Sequence, residues 1–306
     1  MTGFPPKLCY CFQFLGLVIA LLFPSFSFAN SDSSSTKQRM QKLDSASAIH
    51  FILNDLVKAK ITQYGNYKKL IANCLANGQL YFPLIEAELA KNKLPDELKY
   101  ITVMESGVNP HAGKSGGPAG LWQITNGTGK IMKLENNGLI DNRRDPIQST
   151  QAVCAYFTKL YKMYGDWLLA ITAYQIGHGT LDKVIAKSGG KKDYWAIRTH
   201  LPAFAQEYMA KFFAVSYVMT YYSLFGINPA TPRYKFDQID TVHVQATSLS
   251  QMAGALKVSK EDLAKLNAQV NGNAIPAGSS RAIYLPKEAA QLFRDDRKKV
   301  YEFKVQ

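Results

Sequence analysis

The sequence is poor in the residues that build metal sites and covalent scaffolds, with four cysteines and five histidines in 306 residues. His50, His111, His178, His200 and His243 make no H-x-x-x-H pair, and no C-x-x-C occurs. That spacing excludes the common zinc motifs, and no metal or cofactor is expected. Internal repeats are absent, which excludes a solenoid. Low-complexity stretches are few beside 16 Phe and 17 Tyr, so the chain can bury a core and is not a disordered tail protein. Acidic residues are outnumbered, 23 against 36 Lys and Arg, giving a net charge of +13. Such a balance favours an acidic partner: nucleic acid, an anionic membrane or an acidic polymer.

Long apolar runs are scarce as well. Phe12–Phe23 is too short for a comfortable membrane span. With Lys7 before it and the small-x-small site Ser27-Phe28-Ala29 after it, residues 1–29 read as a secretory signal peptide. The alternative is a retained N-terminal anchor, and with it a membrane association. Export, to the periplasm or cell envelope, removes nucleic acid from the partners that the charge suggests. Cys9 and Cys11 precede the apolar core, so cleavage leaves Cys74 and Cys154. These two could bridge in an oxidising compartment or remain as buried thiols. Nothing in the chain sets its oligomeric state.

The remainder is mainly α. From about Thr36 to Gly226 the apolar period is helical, beginning with Ala46–Lys60. Pro95-Asp96-Glu97 opens a helix that runs to Glu105. His111–Gly120 is a Gly-rich loop, and Asp145-Pro146 caps and starts a helix reaching Met163. Asp166 caps the next helix, which stops at Gly177. Pro202 to Phe225 is expected as a final helix dense in aromatics, more a packing element than a binding stripe. No strand-period segment precedes residue 239. Beyond the linker Pro229–Arg233, Thr241–Gln245 and Arg281–Leu285 alternate like strands. They flank two short helices started by Ser248 and Ser259, a βααβ unit over 239–287. The charged tail, 288–306, stays unassigned.

Chemistry concentrates around Glu105-Ser106, the Gly-rich loop, and Gly120-Leu121-Trp122-Gln123. A Glu at the end of an apolar helix, facing small residues, can be half-desolvated. Desolvation disfavours its charged form, which suits a general acid. The glycines allow close approach of a bulky substrate. Trp122 offers a flat apolar face and Gln123 an amide that both donates and accepts, a pair suited to sugar rings and N-acetyl groups. Taken alone, the same pattern also describes a surface Glu followed by an ordinary Gly-rich turn. Asp141, Asp145 and Asp166 read as turn or cap residues, so no second carboxylate stands out.

Three blocks, YITVMESGVNPHAGKSGGPAGLWQITNGTG, DNRRDPIQSTQAVCAYFTKLY and GDWLLAITAYQIGHG, follow in that order between about Leu94 and Gly226. Together they closely resemble the lytic transglycosylase (SLT) domain of glycoside hydrolase family 23. The βααβ unit, TVHVQATSLSQMAGALKVSKEDLAKLN to RAIYLP, resembles a LysM glycan-binding module but lacks the usual Gly-Asp-Thr before its first helix. The resemblance implies a lysozyme-like helical catalytic domain, within 36–228 behind an N-terminal helical extension, and a LysM-like module. It further implies cleavage of the MurNAc–GlcNAc β-1,4 bond of peptidoglycan glycan strands, leaving 1,6-anhydro-MurNAc ends.

In that resemblance Glu105 matches the single acid/base. Ser106, next to it, is expected to bind substrate, Gln123 and Tyr174 match residues lining the cleft, and Tyr208 matches a tyrosine near the acid. A core role for Tyr208 fits equally. Trp167 and Trp195 read as core. The sequence departs from the family at three places: Gln175 stands for an Asn, Lys114 for a Ser with Ser115 adjacent as a substitute, and Phe204-Ala205 for a Glu-Thr pair. These departures leave open a catalytically weak or inactive peptidoglycan-binding or scaffold protein. A hydrolytic muramidase would need a second carboxylate or a positioned water.

Overall fold

The structure is a computed structural model that describes residues 33–114, 116–278 and 280–305. The proposed signal peptide, Cys9, Cys11 and Ser115 lie outside the described residues. The fold is mainly helical, with small sheets confined to the C-terminal part. No helix among the described residues is long and apolar enough to cross a membrane. The chain divides into two compact units, one of residues 33–64 with Leu160–Thr220, the other of Gly65–Lys159 with Tyr221–Gln306.

The first unit is built on α1 (Ser33–Ala46), most of α2 (Asp55–Asn66), α7 (Trp167–Ile176), α8 (His178–Lys187), α9 (Tyr194–Ile197) and α10 (Tyr208–Thr220). The helix expected over Ala46–Lys60 is broken by a non-helical link between α1 and α2. Side chains capture the backbone there. Asp44 Oδ1 accepts from the Phe51 N–H at 2.8 Å, and Asn54 Oδ1 accepts from the Val57 N–H at 2.9 Å to start α2. The apolar residues that suggested a helix still reach the core. Phe51 lies 4.8 Å, ring to ring, from Phe213 of α10. The expected long aromatic helix is also shorter than the sequence suggests: α10 is flanked by 3₁₀ turns at Ala203–Ala205 and Tyr222–Phe225.

The second unit carries α3 (Lys68–Lys91), α4 (Tyr100–Ser106), α5 (Asn126–Ile131) and most of α6 (Pro146–Tyr164). The segment after Pro95 opens as a 3₁₀ turn, Asp96–Lys99, before α4 begins. Cys74 on α3 and Cys154 on α6 are free, buried thiols, and burial pushes each up to about 12.

In the same unit, β1 (Ile239–Val244) pairs antiparallel with β4 (Arg281–Pro286), with Val242 opposite Ile283. The shorter β2 (Thr247–Ser248) pairs with β3 (Ala274–Ile275). Between β2 and β3 lie α11 (Leu249–Leu256) and α12 (Lys260–Leu266). The Ser248 and Ser259 hydroxyls cap these helices by accepting from the Gln251 and Asp262 N–H groups. The tail left unassigned by sequence folds as α13 (Lys287–Asp295) and α14 (Arg297–Glu302). Its Phe293 and Val300 are fully buried in the core formed by the strands and α11.

Candidate active site

Glu105 is the penultimate residue of α4 and is half-buried. The helix ends because Gly107 takes the left-handed conformation, φ 64°, where a Cβ would be penalised. Its N–H donates to Val103 O and the Val108 N–H to Thr102 O, which closes the last turn. Val108, fully buried, is also left-handed at φ 57°, and Gln123 at φ 48°. For a β-branched residue that is a true outlier. Each such position costs about 1–3 kcal/mol, and strain of this kind collects at functional sites.

Ser106 ties the helix end to the loop. Its hydroxyl lies 2.9 Å from Thr102 O and 2.8 Å from Leu121 O, so its single proton serves one or the other, and it accepts from the Asn109 N–H. This is a latch rather than a group held out to substrate. Trp122 also departs from its expected role. It is fully buried with its indole N–H donating to Thr150 Oγ1 at 3.0 Å, so its ring offers no open face for a sugar. Gln123 is half-buried and donates from Nε2 to Gly120 O at 2.9 Å, leaving its Oε1 as an acceptor for other groups.

Two arginines that sequence reasoning passed over hold the Gly-rich loop. Arg143 is buried. Its Nε and Nη2 donate to the Asp141 carboxylate at 2.8 and 2.7 Å, while Nη1 reaches Gly117 O at 2.9 Å and Ile124 O at 3.1 Å. Arg144 Nη1 donates to Ala112 O at 3.0 Å and Pro110 O at 3.4 Å. Burial lowers the Arg144 pKa, against the Asp141 charge. Gly120, φ 81°, lies so close to this strut that a Cβ would fall 1.9 Å from Arg143 O. The loop is not wholly irregular: Ala119 bridges antiparallel to both Gly113 and Ile124, short β-type pairings that the sequence did not suggest.

The nearby carboxylates are engaged. Asp141 is consumed by the arginines. Asp145 caps α6, accepting from the Ile147 and Gln148 N–H groups, and also accepts from the Tyr284 hydroxyl at 2.8 Å. Burial raises the Asp145 pKa against these bonds. Lys114 is exposed, so its charge is screened by solvent.

The remaining candidates belong to the first unit. Tyr174 and Gln175 lie on α7, whose residues are all buried, and Tyr208 begins α10. Asp166 caps α7 as expected, accepting from the Leu169 N–H at 2.8 Å. Gln175 Oε1 is a buried acceptor with no hydrogen-bond partner among the described residues. Trp167 packs as core, stacked 4.1 Å from Tyr161. Trp195 is half-buried and meets Tyr194 edge-on. Phe204 is exposed.

Comparison with known proteins fits this arrangement. Residues 82–197 match the family model for the transglycosylase SLT domain, and 238–302 match that for the LysM-like domain of lytic transglycosylase MltD. The chain is 29% identical over 248 residues, 79% of its length, to membrane-bound lytic murein transglycosylase D of Escherichia coli K12. It covers 54% of that protein, and so spans about half the length of the relative. A putative tributyltin chloride resistance protein of Alteromonas sp. strain M-1 is 33% identical over 117 residues, 38% of this chain and 56% of the relative. The chain thus resembles, in order along the sequence, a transglycosylase SLT domain followed by an MltD-type LysM-like domain.

Proposed function

We propose that this protein is an exported lytic transglycosylase that cleaves the MurNAc–GlcNAc β-1,4 bond of peptidoglycan in the periplasm or cell envelope. The observation that carries this reading is the half-buried Glu105 closing α4, with the Gly-rich loop latched to the same turn through Ser106. A carboxyl at such a helix end, partly withdrawn from water, is placed as a general acid must be. Glu105 gives its proton to the leaving oxygen, and the substrate's N-acetyl group steadies the oxocarbenium-like centre. The carboxylate then takes the proton of the sugar's own C6 hydroxyl, which closes the anhydro ring. Proximity favours that hydroxyl over water. A single carboxylate suffices for this route, in keeping with Asp141 and Asp145 being bound elsewhere.

Other groups contribute binding. The free acceptor of Gln123 suits an acetamido N–H. Within the first unit, the orphan Gln175 Oε1 costs about 1–3 kcal/mol while unsatisfied. The basic charge suits the carboxylates of the wall and its stem peptides, and the LysM-like module adds a glycan-binding element at the C-terminus.

A second reading, a wall-binding protein with slow or absent turnover, draws on Lys114, Gln175 and Phe204. Lys114 is exposed, so its charge is screened from Glu105; Gln175 is buried and Phe204 exposed. Glu105→Gln separates the two. Release of soluble muropeptides from purified sacculi should fall about 10²–10⁴-fold in the variant with sacculus binding retained. Equal release by variant and parent, or none by either alongside tight binding, would contradict the transglycosylase reading.

A further inference from the structure

β4 is buried on both faces. Ile283 and Leu285, in phase with each other, belong to the core shared with α11 and α13. Tyr284, out of phase, is 6% exposed because it faces the SLT part of the same unit, where its hydroxyl donates to Asp145. At the start of the strand Arg281 forms a two-point ion pair with Glu135, Nη2 to Oε1 at 2.9 Å. The loop between α5 and α6 answers with backbone. Ile140 bridges antiparallel to Val270 and is counted in the C-terminal core at 2% exposed. The Asp141 N–H donates to Gln269 O, and the Asn271 N–H to Leu139 O, each at 2.8 Å.

This loop, residues 135–145, is the one whose Arg143 and Arg144 hold the carbonyls of Pro110, Ala112, Gly117 and Ile124. A continuous set of contacts therefore runs from β4 through Glu135, Asp141 and Asp145 to the Gly-rich loop beside Glu105. We infer that the C-terminal module has a role apart from glycan binding: through Tyr284 and Arg281 it is a positioning element that sets the Gly-rich loop of the SLT domain. The effect on turnover rests on the reading of Glu105 given above; the effect on the loop does not.

The test uses the full chain carrying Arg281→Glu, the reciprocal pair Arg281→Glu with Glu135→Arg, and Tyr284→Phe, which removes only a hydroxyl. Amide hydrogen exchange over 111–124, muropeptide release and sacculus binding are measured together. Arg281→Glu and Tyr284→Phe should speed exchange over 111–124 and lower release about 2- to 30-fold at unchanged sacculus affinity. The reciprocal pair should recover both. Parent-like exchange and release in folded variants would overturn the inference, as would a loss of release that follows sacculus binding while exchange stays unchanged. If Arg281→Glu does not fold, Tyr284→Phe decides. If the parent protein releases nothing, the Glu105 reading fails by itself, and exchange over 111–124 decides whether the module positions the loop.

Discussion

The α7 and α10 helices of the first unit and the 107–145 region of the second achieve burial by opposite means. Every residue of α7 is buried, and the middle of α10 is nearly all apolar, with Phe212, Phe213 and Tyr217 packed at 2% exposure or less. That region is held by non-directional apolar contact, which tolerates a change of shape better than a change of polarity. The 107–145 region contains glycines, charged groups and left-handed backbone, and is held by directional bonds from two arginines to five carbonyl oxygens and a carboxylate. Such a network fixes one geometry and loses much when a single member is removed. The half-buried Glu105 stands at the edge of this second kind of restraint, the kind that the proposed general acid would need.

Substitutions at four positions would sharpen or break this contrast. Arg143→Ala should cost about 3–5 kcal/mol of stability by denaturant titration, because it strands Asp141 in the interior without its main partner. Arg143→Lys should recover little, since a point charge cannot reproduce the planar fork. Phe213→Ala, in a fully buried site, should cost about 3–5 kcal/mol as well. There, however, Phe213→Leu should recover most of the loss, and if it does not, the apolar region is as geometrically exacting as the polar one.

Asp166→Ala removes only the cap of α7 and should cost about 0.5–2 kcal/mol in the same titration. Lys114→Ala, at an exposed position, should change stability by no more than about 0.5 kcal/mol. Its effect on muropeptide release should fade as salt rises. A large, salt-independent effect would mean that Lys114 acts at the site rather than from solvent.

The same contrast explains how much was legible in the sequence. Local signals held: Asp145, Asp166, Ser248 and Ser259 cap the helices they were expected to start, and the alternation around Val242 and Ile283 marks the paired strands. These depend on neighbours within four residues or on a simple period. The break after Ala46 was hidden because Ile49 and Phe51 are apolar and buried, as the core face of a helix would be, while the side chains that capture the backbone, Asp44 and Asn54, look like surface residues. Trp122 looked like a binding surface because composition does not tell which way a ring faces. The DNRRDP stretch gave no warning that Arg143 would reach back 26 residues to Gly117, nor Tyr284 139 residues to Asp145. The tail was hidden in its charge, although Phe293 and Val300 were enough to fold it down.

The most direct test of the account is to digest purified sacculi with residues 30–306 in water enriched in heavy oxygen and to weigh the sugar ends by mass spectrometry. Glu105 acting first as acid and then as base, with the C6 hydroxyl as the attacking group, gives 1,6-anhydro-MurNAc ends that carry no heavy oxygen. Reducing MurNAc ends labelled from the solvent would instead show that water is the attacking group, and would contradict a transglycosylase built on a single carboxylate.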